Sequence, residues 1–287
     1  MLWRGLHKTV TLSVAVDLHP AGRGRRIWLL LAADYRRLMR SRAAWLLWAL
    51  VAYTVLFIPF ILNSPQEEFT RVVASWIGPD PAGGKMVLFI WIDVAMNKLA
   101  LIMGAVLASG IIVDEKARGS FDLLLSKPVP AGDYFIAKLG AALAAMATFY
   151  LSAAALALLT FPWRVQGFPT GNFVALSSVH LFAALFSVTF AGMAAAVFGN
   201  RLVAMLVTII VIGLLVGLAF FGFYHPTMAA FANVNPFFHG VKLLGRLENY
   251  SISDLLQPIV VLLAFNLVAA AIGCWRAIAL IEKGSNR

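Results

Sequence analysis

The chain has 287 residues, of which 61% are hydrophobic and only 13% charged, with a formal net charge of +10. Its mean hydropathy of +0.86 lies well outside the range of soluble domains, in which about a quarter of residues carry charge. Such a composition excludes an ordinary soluble fold and implies an all-α integral membrane protein.

The basic excess raises nucleic acid as a partner, but its distribution reads as membrane topology instead. About nine Lys and Arg residues precede the first apolar run, four lie around the 114–138 region, Arg201 sits in a tight turn and three lie near the C-terminus. The other side receives Arg71, Lys85, Arg164, Lys242 and Arg246. Positive side chains accumulate on cytoplasmic loops. Both termini, the 114–133 loop and the 199–202 turn are therefore expected in the cytoplasm, with no nucleic-acid partner.

In chain order, residues 1–26 read as a cytoplasmic tail. The patch "VTLSVAV" loosely mimics a secretory signal, but the "AGRGRR" that follows it opposes translocation. Residues 27–42 show helical periodicity, with Ile27, Trp28, Leu31, Tyr35, Leu38 and Met39 on one face and Arg36, Arg37 and Arg40 opposite. This pattern predicts an N-terminal amphipathic helix in the inner membrane interface, its arginines toward lipid phosphates. A basic flank that only sets topology is the plainer alternative.

Six apolar runs follow, at 43–62, 94–113, 136–160, 173–198, 203–223 and 255–280. Each approaches the roughly 20 residues needed to cross a bilayer, so residues 43–280 are expected to form a domain of six transmembrane helices. The 63–93 loop is rich in Pro and Gly, as turns require. The longer outer loop, 224–254, has room for re-entrant helices carrying Phe237, Phe238, Leu243, Leu244 and Leu247. Residues 281–287 form a C-terminal tail.

Polar residues within spans are costly and often functional. Asp93, Asn97 and Lys98 open the second span; with a start near residue 94 they lie in its outermost turns. At helical spacing Asp93 and Asn97 share a face while Lys98 points elsewhere. They read either as boundary markers or as a polar patch on a translocation pathway. Gly213 and Gly217 form a GxxxG pair, which serves internal packing or dimerisation.

Signals for chemistry are weak. "AGGKM" at 82–86 lacks the spacing of a phosphate-binding loop. His7, His19, His180, His225 and His239 have no metal-ligand spacing and read as solvated or interfacial. The lone Cys274 reads as a packing residue. "EEFTR" at 67–71 is similar to the double-glutamate motif of membrane-embedded CAAX-type proteases, but its arginine is one residue too near. No cofactor or metal is expected on this chain, and no catalysis of its own.

The stretch "VDEKARGSFDLLLSKPVPAGDYFIAKLG", residues 113–140, stands out as too charged for a span and too apolar for a plain connector. Gly119 can end the second span, Ser120 can cap one or two helical turns, and Pro128 and Pro130 stop them. Asp133 can cap the third span. A short leucine-bearing helix with rigid ends is shaped to fill a partner's groove; a loop folded onto the bilayer is the alternative.

This stretch resembles the signature of the ABC-2 type membrane subunits of ABC exporters. In that family a glutamate precedes a Gly-[TS]-x-[DE]-LLL-[ST]-x-PV segment, followed by a lysine and a glycine opening the next span. Glu115, Gly119, Ser120, Asp122, Leu123, Leu124, Leu125, Ser126, Pro128, Val129, Lys138 and Gly140 match it. "LLAADYRRLMRSRAAWLL" is similar to the family's N-terminal segment, with Asp34 where glutamate is usual. Within the family the chain leans toward the permeases that include the nitrous oxide reductase maturation permease.

The resemblance implies a membrane-spanning permease of an exporter in a bacterial inner membrane. It would act as a homodimer, or paired with a similar permease, on two copies of a separate ATPase that binds ATP and Mg. It makes 27–42 the connecting helix, with Asp34, Arg36, Arg37 and Arg40, and 114–133 the cytoplasmic coupling loop, with Asp114 added to the residues above. A secondary transporter or channel, or a membrane-embedded hydrolase, are the alternatives from other classes.

Overall fold

The computed structural model describes residues 22–63, 67–68, 71, 74–75, 84–114, 129–165, 167–224, 226–247 and 249–285. Among these residues there are helices and no strands. In order they are α1 (Arg23–Met39), α2 (Arg42–Asn63), α3 (Gly84–Ala108), α4 (Ala131–Arg164), α5 (Thr170–Phe198), α6 (Arg201–Leu218), α7 (Phe221–Tyr224), α8 (Pro226–Ala232), α9 (Pro236–Val241) and α10 (Ile252–Ser285). Helices α3, α4, α5, α6 and α10 are each long and apolar enough to cross a membrane. The pair α1 and α2, bent by 66° at residues 40–41, makes a sixth candidate.

Several boundaries differ from the sequence reading. Helix α1 begins at Arg23, within the segment read as tail, and α3 begins at Gly84, not near 94. The run 84–93 is apolar enough to be helical; Asp93 masked that by resembling a boundary. Helix α4 starts directly after Pro130, which stands at the N-cap and cannot itself extend a helix backward.

The α5–α6 turn is explained residue by residue. Gly199 adopts φ +60° and donates its N–H to the Ala195 carbonyl at 3.0 Å, closing α5 in the left-handed conformation glycine tolerates best. Asn200 then caps α6 by accepting from the Val203 N–H at 3.2 Å. The two helices run antiparallel as a result.

Helix α5 is central, packed against α10, α3, α6, α9 and α4. Lipid supplies no hydrophobic drive between helices, so close backbone approach at small residues must do it. Gly104 of α3 shows this most clearly, since a Cβ there would lie 2.9 Å from the Ser187 backbone of α5. The Ser187 hydroxyl is itself tied to the Ala100 and Ala184 carbonyls, each at 2.7 Å. Among the described residues nothing would lie within 4 Å of a Cβ on Gly213 or Gly217, so they serve no helix crossing there. Gly104→Val is expected to destabilise the fold by about 1–3 kcal/mol through overpacking. Gly213→Val should leave the melting of the single chain unchanged. Thermal melts of both variants in mild detergent check the contrast.

Between α6 and α10 the chain folds back. Asn235 caps α9 by accepting from the Phe237 N–H at 2.9 Å, with Pro236 opening the helix. Phe237, Phe238, Leu243, Leu244 and Leu247 are buried, and α9 packs on α5 and α10. These side chains complete the core of the helical body.

Candidate functional site

The residues expected to carry the coupling contact, Glu115, Gly119, Ser120, Asp122, Leu123, Leu124, Leu125 and Pro128, lie outside the described residues. Both flanks of that segment are described, and each ends in ion pairs. At the entry, the Asp114 carboxylate accepts from Arg201 at 2.9 Å, tying the turn that follows α3 to the start of α6. At the exit, α4 is fastened to α1 twice. Arg23 donates to Asp133 at 2.8 Å, and Lys138 donates to Asp34 at 3.0 Å. Asp133 therefore does not cap α4; its carboxylate is used across the α1–α4 contact.

The Asp34–Lys138 pair is the more consequential, because the Lys138 side chain is only 8% exposed. Exposed ion pairs contribute little, whereas a nearly buried ammonium depends on its carboxylate. Arg37 approaches the same Asp34 oxygen at 3.9 Å, while Arg36 and Arg40 are exposed. Two further contacts lock α1 along α4. The Tyr35 and Thr148 hydroxyls lie 3.0 Å apart, and Gly140 leaves room for Leu31, whose Cδ1 would meet a Cβ there at 2.8 Å. Helix α1 is thus fixed to the start of α4 by charge, hydrogen bond and close packing together. Between α1, the end of α3, α4 and α6 lies a pocket of about 240 Å³ lined by Asp34, Arg37, Ser41, Asp114, Lys138 and Arg201 among others.

A second constellation lies midway along the spans. Asp93, Asn97 and Lys98 fall in the middle of α3, not in its outermost turns, because α3 starts at Gly84. Residues Ile90–Met96 form a π-helical turn, which brings position i+5 closer to i. Lys98 accordingly reaches Asp93, with its ammonium 2.7 Å from the Asp93 carbonyl and 3.6 Å from the carboxylate. Lys98 is exposed where Asn97 is buried, so it does leave the face that Asp93 and Asn97 share, and only its ammonium reaches back to Asp93.

Asn97 is fully buried. Its Oδ1 lies 2.8 Å from His180 Nε2, and the other ring nitrogen lies 3.1 Å from the Tyr150 hydroxyl. An amide oxygen only accepts, so Nε2 carries the proton and Nδ1 accepts from Tyr150. Ser177 accepts from the Trp91 indole at 3.1 Å. The far end continues from the Asn97 amide to Asp93 at 3.5 Å. The chain therefore runs in one sense, Tyr150 to His180 to Asn97, toward the Asp93 carboxylate. Helix α9 closes over it, since a Cβ on Gly240 would meet His180 Cδ2 at 3.3 Å.

His180 was read from sequence as solvated or interfacial; it is buried. Its partners come from two other helices, α3 and α4, and no local spacing announces them. His239 is also buried and bonds the Asn233 carbonyl at 2.8 Å. Among the described residues no three His, Cys, Asp or Glu side chains converge as a metal site needs.

A sequence-family profile described as "ABC-2 family transporter protein" matches residues 85–275. No curated protein matches the chain.

Proposed function

The chain belongs to the ABC-2 family of transporter proteins, and from that premise we propose that it is the permease subunit of an ABC exporter driven by separate ATPase chains. ATP and Mg are bound by those partners, two copies per transporter. The permease itself works as a homodimer, or with a similar chain, in a bacterial inner membrane with both termini in the cytoplasm. Membrane lipid is its remaining partner.

The observation that carries this reading is the fastening of α1 to α4 by Arg23–Asp133 and Asp34–Lys138, together with Asp114–Arg201 on the opposite flank. All three pairs frame residues 115–128, the segment whose sequence resembles the family's coupling motif. A push on that segment, delivered when ATPase subunits close, passes into helices already locked together. Helix α4, 34 residues long, carries it as a rod to Tyr150. Alternation between inward and outward states then follows from differential ATPase contact with the two states.

Two variants test the loop. Glu115→Lys and Gly119→Leu are expected to insert normally into the membrane and to lose most cargo-stimulated ATP hydrolysis. Normal export by both would sink the assignment. A carrier driven by an ion gradient is the second reading, favoured by the Asp93–Lys98 pair midway along a span. Flux that persists without ATP would select it.

A further inference from the structure

Helix α3 is largely covered by its neighbours, with 72% of its apolar window buried. One narrow stripe stays open, formed by Val94, Lys98 and Ile102 at successive four-residue steps and 37%, 54% and 42% exposed respectively. In the middle of a span an exposed ammonium is unfavourable against hydrocarbon. The stripe must face something polar.

The charges within it are not placed evenly. The Asp93 side chain is 25% exposed against 54% for Lys98, so the acid turns inward and the base outward. The carboxylate is the terminus of the buried Tyr150–His180–Asn97 chain. Its contact with the ammonium, at 3.6 Å, is longer than a hydrogen bond. The firm bond of Lys98 is to a neutral carbonyl, at 2.7 Å. An ammonium has three donors, which leaves capacity for an acceptor arriving from outside. The helices packed beside α3 supply none: α2, α5 and α6 contain no acidic residue, and the one acid of α4, Asp133, is at its end and bound to Arg23. One turn to either side of Lys98 the surface is apolar, through Val94 and Ile102.

We propose that Lys98 binds the anionic group of an amphiphilic cargo, a phosphate or carboxylate carried on an apolar body, on the transport path of the permease. This rests on the permease reading above and adds the cargo class to it. Asp93 acts as the resident counter-ion that holds the site when empty, and the Asn97 amide, itself held by His180, draws the carboxylate inward from 3.5 Å so that it does not compete fully with the ligand.

The test is equilibrium binding of radiolabelled dodecyl phosphate to the full chain in nanodiscs of zwitterionic lipid. Wild type is expected to bind it saturably, Lys98→Met at least tenfold more weakly and Lys98→Arg near wild type. Asp93→Asn is expected to bind more tightly, because the internal acid no longer competes. Inorganic phosphate should displace the probe poorly, and dodecyltrimethylammonium should not bind. Equal binding by wild type and Lys98→Met, equal binding of the cationic probe, or displacement by inorganic phosphate at probe concentrations would overturn the proposal. So would an Ile102→Cys disulfide between two chains that excludes the probe while Lys98 is retained, since the stripe would then be a subunit contact. Lys98 lies midway along α3 and outside the coupling motif in sequence, so ATPase association reports on the permease reading separately. An ATPase that co-purifies while the probes show no discrimination removes the anion site alone; discrimination with no ATPase removes the permease reading alone.

Discussion

Asp34→Ala is expected to destabilise the protein by about 3 kcal/mol and to uncouple ATP hydrolysis from transport. The estimate follows from taking the carboxylate away from a nearly buried ammonium, which costs about 3–5 kcal/mol for fully buried pairs. The lower end applies because Asp34 itself is 18% exposed and water offsets part of the loss. A drop of several degrees in the melting temperature in detergent checks the first part. The second is checked by the charge-reversed double variant Asp34→Lys/Lys138→Asp, which should recover part of both stability and coupling. If the single variant melts lower yet couples normally, the clamp is structural only. If the double variant behaves as the sum of two independent losses, the pair does not act as a unit.

The second large effect is expected at Asn97. Asn97→Leu preserves volume but removes the acceptor of His180 Nε2, an atom in a fully buried ring. Hydrogen bonds between membrane helices average only about 0.6 kcal/mol in pairwise tests. Here the comparison is with an orphaned buried donor, which costs about 1–3 kcal/mol, and the one-way chain from Tyr150 adds mutual polarisation. A loss of about 2 kcal/mol is expected. His180→Leu placed on top of Asn97→Leu should cost much less than it does alone, because the orphaned donor is then absent. Thermal melts of the two single variants and the double variant give the coupling directly; full additivity would contradict a continuous chain.

The membrane character and helical class were legible in composition and hydropathy, since a span is a long-range average that single residues do not disturb. The amphipathic pattern of α1 was legible for the same reason, though its first turn, Arg23–Arg26, is too basic to announce itself as helix. What was lost depends on contacts between helices. Arg23 meets Asp133 across more than a hundred residues, and a cap was the only local role available to that aspartate. Lys98 does sit on another face than Asn97, as helical spacing implies, but its reach back to the Asp93 carbonyl goes with a π turn that has no composition cue. His180 looks alone in α5 because its partners sit on α3 and α4. Gly213 and Gly217 show the reverse case, a local motif with no partner among the described residues. Sequence spacing speaks for the surface a helix offers, and the structure decides what meets it.

The central claim is that the chain couples to separate ATPase subunits through the segment between α3 and α4. The most direct measurement is mild-detergent purification of the tagged protein at native expression, with mass spectrometry of what co-elutes. The result expected is a stoichiometric partner carrying a phosphate-binding loop, retained by Lys98→Met and lost in Glu115→Lys. A clean preparation with no ATPase, active in ATP-independent flux, would contradict the claim.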